Sequence, residues 1–269
     1  MKKLAVLLFV LLMIPGWARA EESRAATIYV NGIESSELAG AEVTPCIAGN
    51  RLYLPLNTLA ALGEITADWD EGAHTLRLTK GGETVKMVVD EDRYAKGEER
   101  FFMDAAPFAD AGVIWVPLRF AAEAFDLPVH WDEAHRIALI GDYYDAGVFP
   151  EAPRLTTKEG YSFARPDMYK HNFVVEDTGG EVVVFDKANY DVTKRMGRIG
   201  ELCKLEDPRA VKGPVVVLGT VPGGYLVFTY AEGVRVEDPA DIHLVNSYET
   251  SKDAFMEILK TVKTVKRTS

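Results

Sequence analysis

The residues that could do chemistry in this 269-residue chain are few and scattered. Five histidines, His74, His130, His135, His171 and His243, are the natural candidates for metal ligation. A mononuclear copper site needs three imidazoles, two of them from a His-x-His pair whose alternate side chains share one face of a strand. No two histidines have that spacing, so no metal ligand is assigned. His130 and His135 flank a Trp-Asp-Glu turn, where hydrogen-bonded surface histidines are the ordinary case. Two acidic clusters, Asp68, Asp70 and Glu71, and Asp90, Glu91 and Asp92, offer oxygens for calcium. They lack the ligand spacing and central glycine of an EF-hand loop and are read as solvated turns. G-x-S-x-G, H-E-x-x-H, C-x-x-C and a phosphate loop do not occur in the sequence. No catalytic or cofactor-binding residue is therefore assigned, and no cofactor is expected. If the chain is an enzyme, its site lies in the second half, with Asp186, Tyr190 and Asp191 as the candidates.

The elements that would position any site are better defined. LYLPLNTLAAL…ADWDEGAHTLRL (Leu52 to Leu78) and IWVPLRFAAEA…VHWDEAHRIAL (Ile114 to Leu139) are two copies of one pattern, 62 residues apart from Pro55 to Pro117 and from Trp69 to Trp131. A repeat of this length means one supersecondary unit built twice and stacked. Each copy reads as strand, helix, strand, turn, strand. Leu118, Ala121, Ala122 and Phe125 recur at helical spacing, and a proline stands where each helix starts. Leu76 and Leu78 in one copy, and Ile137 and Leu139 in the other, are the alternating apolar residues of the last strand. The matched pairs are prolines, aliphatics, tryptophans and a turn, which points to packing more than catalysis. Trp69 and Trp131 are read as core residues, with stacking on sugars as the other possibility. Arg119 stands where the first copy has Asn57 and is expected in a structural salt bridge.

Lys2 and Lys3, an apolar run from Leu4 to Ile14 and Ala18-Arg19-Ala20 are the parts of a secretory signal peptide, with cleavage expected after Ala20. No later segment approaches about 18 continuous apolar residues, so no transmembrane anchor is expected after cleavage. Between Glu21 and Pro150 there are 10 Lys and Arg against 23 Asp and Glu; between Glu151 and Ser269 the numbers are 17 and 18. The acidic first half argues against nucleic acid as a partner, and the nearly neutral second half is the likelier contact for anything anionic. Cys46 and Cys203, one in each half, are expected as buried, inert thiols, although export would permit them to pair.

The combination VNG…RLYLPLNTLAALG…DWDE and KG…IWVPLRFAAEAF…HWDE resembles the copper amine oxidase N-terminal domain, or stalk domain, over about residues 27–141. That family is carried by secreted bacterial proteins. The resemblance implies an α+β domain that supplies neither copper ligands nor the quinone cofactor. Asn189-Tyr190-Asp191 has the outline of the oxidase quinone motif, but Asp186 stands where that motif has Thr or Ser. Phe125-Asp126 also departs from the family's Leu-Gly.

Residues 142–159, with Pro150 and Pro153, have the composition of a linker. Strands are expected over 161–164, 173–176, 181–185, 199–205, 215–221 and 225–230, then a helix from Lys252 to about Val265 with Ser251 as its N-cap. GYSFARPDMY and VEDPADIHLVNSYETSKDAFMEILKTV make residues 160–265 resemble the PsbP-like fold, which implies an accessory role without chemistry. The expected organisation is a signal peptide at 1–20, a stalk-type tandem repeat domain at 25–141, a linker at 142–159, and an α+β domain at 160–269 with an antiparallel sheet and a C-terminal helix. Neither half is expected to need the other to close its core. The expected function is a secreted, non-catalytic binding or scaffolding protein, extracellular, cell wall-associated or periplasmic. Its partner would be an envelope protein or wall polymer; the alternative is the enzyme already named.

Overall fold

The computed structural model describes residues 26–39, 44–61, 65–233 and 235–264. The expected signal peptide lies outside them. The chain is α+β. Its first half opens with β1 (Thr27–Val30), β2 (Ile33–Glu34) and helix α1 (Ser35–Ala39). The first copy follows as β3 (Cys46–Ala48), β4 (Arg51–Pro55), α2 (Leu56–Ala61), β5 (Thr66–Asp70) and β6 (Thr75–Lys80). After β7 (Glu83–Val88), β8 (Arg93–Lys96) and β9 (Glu99–Phe102) comes the second copy: β10 (Phe108–Asp110), β11 (Val113–Pro117), α3 (Leu118–Glu123), β12 (Val129–Asp132) and β13 (Ile137–Ile140). The bounds of β3, β4 and α2 recur 62 residues on as those of β10, β11 and α3.

The two copies meet at the central antiparallel pair. Leu54 faces Val116, while Tyr53 faces Pro117 and Pro55 faces Trp115. Leu54 and Val116 are themselves 62 residues apart, so equivalent residues oppose each other and the pairing has approximate two-fold symmetry. Both are fully buried. Each proline ends its strand and leads into a helix, where its missing N–H is not needed. Pro117 is the N-cap of α3 and Leu118 its first residue, so the helix starts one position later than the sequence implies.

The last strand of each copy shows what a one-residue slip does. Offset by 62, Ala138 and Ile140 match Leu76 and Leu78, and all four belong to the first-half core. Ile137 and Leu139 instead match Thr75 and Arg77 and point to the opposite face. The sequence reading had aligned Ile137 and Leu139 with the core leucines. β13 also pairs in parallel with β1, giving a sheet in the order β12-β13-β1-β2. Its strands read TIYV and IALI, the continuous apolar runs of strands covered on both faces.

What covers the second face is the other half of the chain. β14 (Arg154–Thr156) and β15 (Tyr161–Ala164) precede β16 (Phe173–Asp177), β17 (Glu181–Asp186), α4 (Lys187–Thr193), β18 (Arg198–Leu205), β19 (Val215–Val221) and β20 (Gly224–Tyr230). Helix α5 (Ile242–Leu259) and β21 (Lys263–Thr264) follow. A five-stranded antiparallel sheet runs β16-β17-β18-β20-β19. Leu202, Val216, Leu226 and Phe228 face one side and pack with Phe255, Ile258 and Leu259 of α5. Cys203, Val215, Val217, Tyr225 and Val227 face the other and share a core with Tyr29, Ile137 and Leu139. Each half has a core of its own residues, and a third core, which the sequence analysis did not anticipate, is shared between them.

The junction is tight. The Val217 N–H donates to the Gly32 carbonyl at 2.8 Å. A Cβ on Gly32, at φ +79°, would lie 2.4 Å from the Val217 carbonyl oxygen. Segment 142–159 is packed as well: Tyr143, Phe149 and Leu155 cover the second-half core, and the Asp145 N–H donates to the Lys260 carbonyl at 2.7 Å. Helix α5 begins ten residues before the expected start, with the Asp241 carboxylate accepting from the His243 and Leu244 N–H groups. Ser251 is a buried mid-helix residue, not a cap. The helix ends at Leu259; Val265 lies outside the described residues.

Candidate binding cleft

A cleft of about 250 Å³ opens between the two copies, against the second. Ile47, Arg51, Leu118, Arg119, Trp131 and Arg136 are prominent in its lining. Arg51 leaves a tight turn in which Gly49 and Asn50 both take positive φ, +55° and +62°, as a two-residue hairpin turn requires. Its guanidinium donates through Nε to Asp104 Oδ2 at 2.9 Å and through Nη1 to the Asn50 carbonyl at 2.9 Å. Hydrogen bonding from Arg51, with burial opposing and the charges of Arg51 and Arg119 assisting, holds the Asp104 carboxyl below its ordinary pKa.

Arg119 lies in the first turn of α3 and is exposed. The salt bridge expected for it does not form: among the described residues no carboxylate lies within 4.0 Å of it. Its first turn is clear of acidic side chains, so the guanidinium is left facing the cleft. Trp131, on β12 opposite Ala138, packs partly against the first-half core and donates its indole N–H to Glu133 at 2.5 Å. Arg136 sits in the β12–β13 turn at φ +56°, its carbonyl accepting from the Thr27 N–H at 3.0 Å.

The positions 62 residues away, on the surface related by the approximate two-fold symmetry, carry different residues: Val113 of the second copy for Arg51, and Asn57 and His74 of the first copy for Arg119 and Arg136. There the His74 ring lies 6.3 Å from Trp69. Only one of two related surfaces thus gathers three guanidiniums around an indole. Planar guanidiniums suit carboxylates, and an indole suits an apolar ring face. Among the described lining residues there is no serine, threonine, cysteine, lysine, tyrosine or histidine, so the cleft holds no side-chain nucleophile of those types.

A second polar constellation sits at the junction of the halves. The Tyr225 hydroxyl donates to Asp132 Oδ2 at 2.5 Å, and His135 Nδ1 lies 2.8 Å from the same oxygen. Burial works against ionisation of Asp132, but these hydrogen bonds outweigh it and bring its pKa down to about 2. Burial, and next the Asp132 carboxylate, push the Tyr225 phenol well above its ordinary value.

The enzyme candidates do not converge. Asp186 is fully buried and caps α4. One of its oxygens accepts from the Asn189 backbone and side chain at 2.9 and 2.7 Å, the other from Ser247 and Ser251 at 2.7 and 2.8 Å. Tyr190 donates to Glu176 at 2.6 Å, and Asp191 pairs on the surface with Lys187 and Lys194. Of the histidines, His74 and His135 occupy turns, His130 is on β12, His171 precedes β16 and His243 opens α5. Among the described residues no three His, Cys, Asp or Glu side chains cluster as metal ligands. Cys46 and Cys203 are both free; Cys46 is half-buried and Cys203 buried. Burial, then Glu201 and Glu181, raise its thiol to about 11.

The sequence singled out Arg119 and Trp131 but missed Arg51 and Arg136. The signal was available: at the 62-residue offset both replace non-cationic residues. A duplicated strand–helix–strand–strand unit with a cleft between its copies defines an α+β repeat module. Residues 29–140 match the family model of the copper amine oxidase N-terminal domain, so this part of the chain is a stalk-type domain. The match ends with the last strand of the second copy. No curated protein matches the sequence. Among the described residues no helix is long and apolar enough to cross a membrane.

Proposed function

We propose that this is an exported, non-catalytic binding or scaffolding protein of the cell envelope or extracellular space. In this reading the stalk-type domain, acidic overall but basic at its cleft, is the contact with a wall polymer, which departs from the expectation that the second half would hold an anionic partner; the PsbP-like second half is carried upon it. The observation that carries the reading is the one-sided specialisation of the repeat. Packing alone would ask the same of the two symmetry-related surfaces, yet Arg51 of the first copy and Arg119 and Arg136 of the second surround a cleft on one of them. Their guanidiniums with Trp131 suit a sugar ring bearing a carboxylate. The basic and apolar parts of the N-terminus support export. The enzyme alternative draws no support from Asp186, Tyr190 and Asp191, which lie apart.

Co-sedimentation with isolated wall material tests the binding. The mature protein should pellet with the wall, and the double variant Arg119→Ala, Trp131→Ala should lose on the order of tenfold in retention, the loss of one charge-assisted and one stacking contact. Equal retention of both proteins would refute the assignment of the cleft. N-terminal sequencing of exported protein should start at Glu21; material beginning at Met1 would refute the export.

A further inference from the structure

The second half carries a separate basic groove of about 400 Å³ at one end of its five-stranded sheet. Arg195, Arg198, Lys212 and Arg235 line it, against Glu201 and Glu232. That is four cations to two anions in a chain whose net charge is −11. Topology explains the gathering. β20 runs antiparallel to both β18 and β19, so its C-terminal end lies between their N-terminal ends. Arg198 starts β18, Lys212 precedes β19 and Arg235 follows β20.

Arg195 is brought in by the loop after α4. The Gly197 N–H donates to the Arg235 carbonyl at 2.7 Å, and the Gly197 carbonyl accepts from the Asp186 N–H at 2.6 Å. At φ +86°, a Cβ on Gly197 would lie 2.7 Å from the Asp186 carbonyl oxygen. Only glycine lets the loop sit this close to both segments. Arg198 is neutralised by Glu201. Arg195, Lys212 and Arg235 make no side-chain hydrogen bond or ion pair among the described residues. Glu232 is the one carboxylate of the lining that opposes them.

We propose that this groove binds a tetrahedral oxyanion, the phosphoryl group of inorganic phosphate or of a phosphate-bearing polymer. Three uncommitted cations enter from three separate segments. A carboxylate presents two acceptor oxygens in one plane, whereas a phosphoryl group presents three or more in three directions. Two guanidiniums and an ammonium match the second arrangement.

The test is calorimetric titration of the mature full chain at low salt with inorganic phosphate, polyphosphate and acetate. Saturable binding of phosphate or polyphosphate is expected, with acetate at least about tenfold weaker, a difference of one charge-assisted hydrogen bond. Arg195→Ala, Lys212→Ala and Arg235→Ala should each weaken it about tenfold, and Glu232→Gln should tighten it several-fold by removing a like charge. Lys86→Ala, an exposed lysine on β7, should change nothing, and thermal melts of every variant should match the parent. Tighter binding of inorganic phosphate identifies a free ion as the ligand; tighter binding of polyphosphate identifies a polymer. No saturable binding at millimolar probe, equal affinity for acetate, or variants that leave binding unchanged would overturn the proposal.

Discussion

Replacing Tyr225 by Phe removes a single hydroxyl from the junction of the two halves and keeps its ring, which is 2% exposed. The lost contact is the 2.5 Å hydrogen bond to Asp132, whose side chain is 21% exposed. A hydrogen bond to a charged group contributes about 1.5–3 kcal/mol. An independent figure comes from Asp132 itself, whose pKa is lowered from 3.8 to about 2. That difference corresponds to about 2 kcal/mol at neutral pH, shared between Tyr225 and His135. The two figures describe overlapping interactions and are not summed. Tyr225→Phe should therefore cost about 1.5–2 kcal/mol at pH 7, or about 3–8 °C in Tm for a chain of this size.

The sign of the pH dependence follows from the direction of the shift. A carboxyl whose folded pKa is depressed stabilises the fold above its unfolded pKa, and the contribution is lost as pH falls through the folded value. The parent should thus lose this stability between about pH 4 and pH 2, and Tyr225→Phe should show a shallower loss because only His135 still holds the carboxylate. Urea unfolding from pH 7 down to pH 2, with Asp132→Asn and the double variant to complete a cycle, measures both effects. The reasoning fails if Tyr225→Phe melts within a degree of the parent and follows the same acid profile, or if the cycle gives no coupling.

Gly32→Ala should destabilise by about 2–3 kcal/mol in the same urea assay, because the new methyl meets the Val217 carbonyl at a positive φ. Asp186→Ala should cost at least about 4 kcal/mol, since it leaves the Asn189, Ser247 and Ser251 donors buried without an acceptor. Cys203, buried and with its thiol near 11, should resist alkylation until the protein unfolds, and the partly exposed Cys46 should react first; peptide mapping of a brief labelling pulse decides this. A chain ended after Gly141 should self-associate, because Tyr29, Ile137 and Leu139 lose their cover; a monomeric, cooperatively folded fragment in sedimentation experiments would count against the shared core.

Strands β15 to β20 were legible in sequence to within a residue at their ends, because turn residues punctuate apolar runs, whereas β14 falls in the segment read as a linker and β21 in the segment read as helix. Helix α5 was only half legible, and the reason is specific. Ser247 and Ser251 lie on one face of it, at i and i+4, and both donate to Asp186 on another element. Polar residues at buried positions break the apolar period that a sequence reading follows, and their partner is more than 60 residues away. The cleft was hidden for a related reason. Arg51 opens a strand directly after a turn and Arg136 stands in a turn, where a charged residue is ordinary; only comparison with Val113 and His74 marks them as departures.

The same comparison explains why the second half sits where it does. Duplication gives the stalk domain two equivalent outer sheet faces. On the first copy, β5 to β9 carry Arg77 opposite Lys86 and Lys86 opposite Ala95, a polar row suited to water. On the second copy the residues matching Thr75 and Arg77 are Ile137 and Leu139, and β1 adds Tyr29 beside them. These side chains stabilise the fold only if something apolar covers them, and Val215, Val217, Tyr225 and Val227 do so. Two substitutions at matched positions thus decide which face takes the sheet. The Asp132–Tyr225 hydrogen bond at its margin, together with the close approach at Gly32, fixes the register in which it docks.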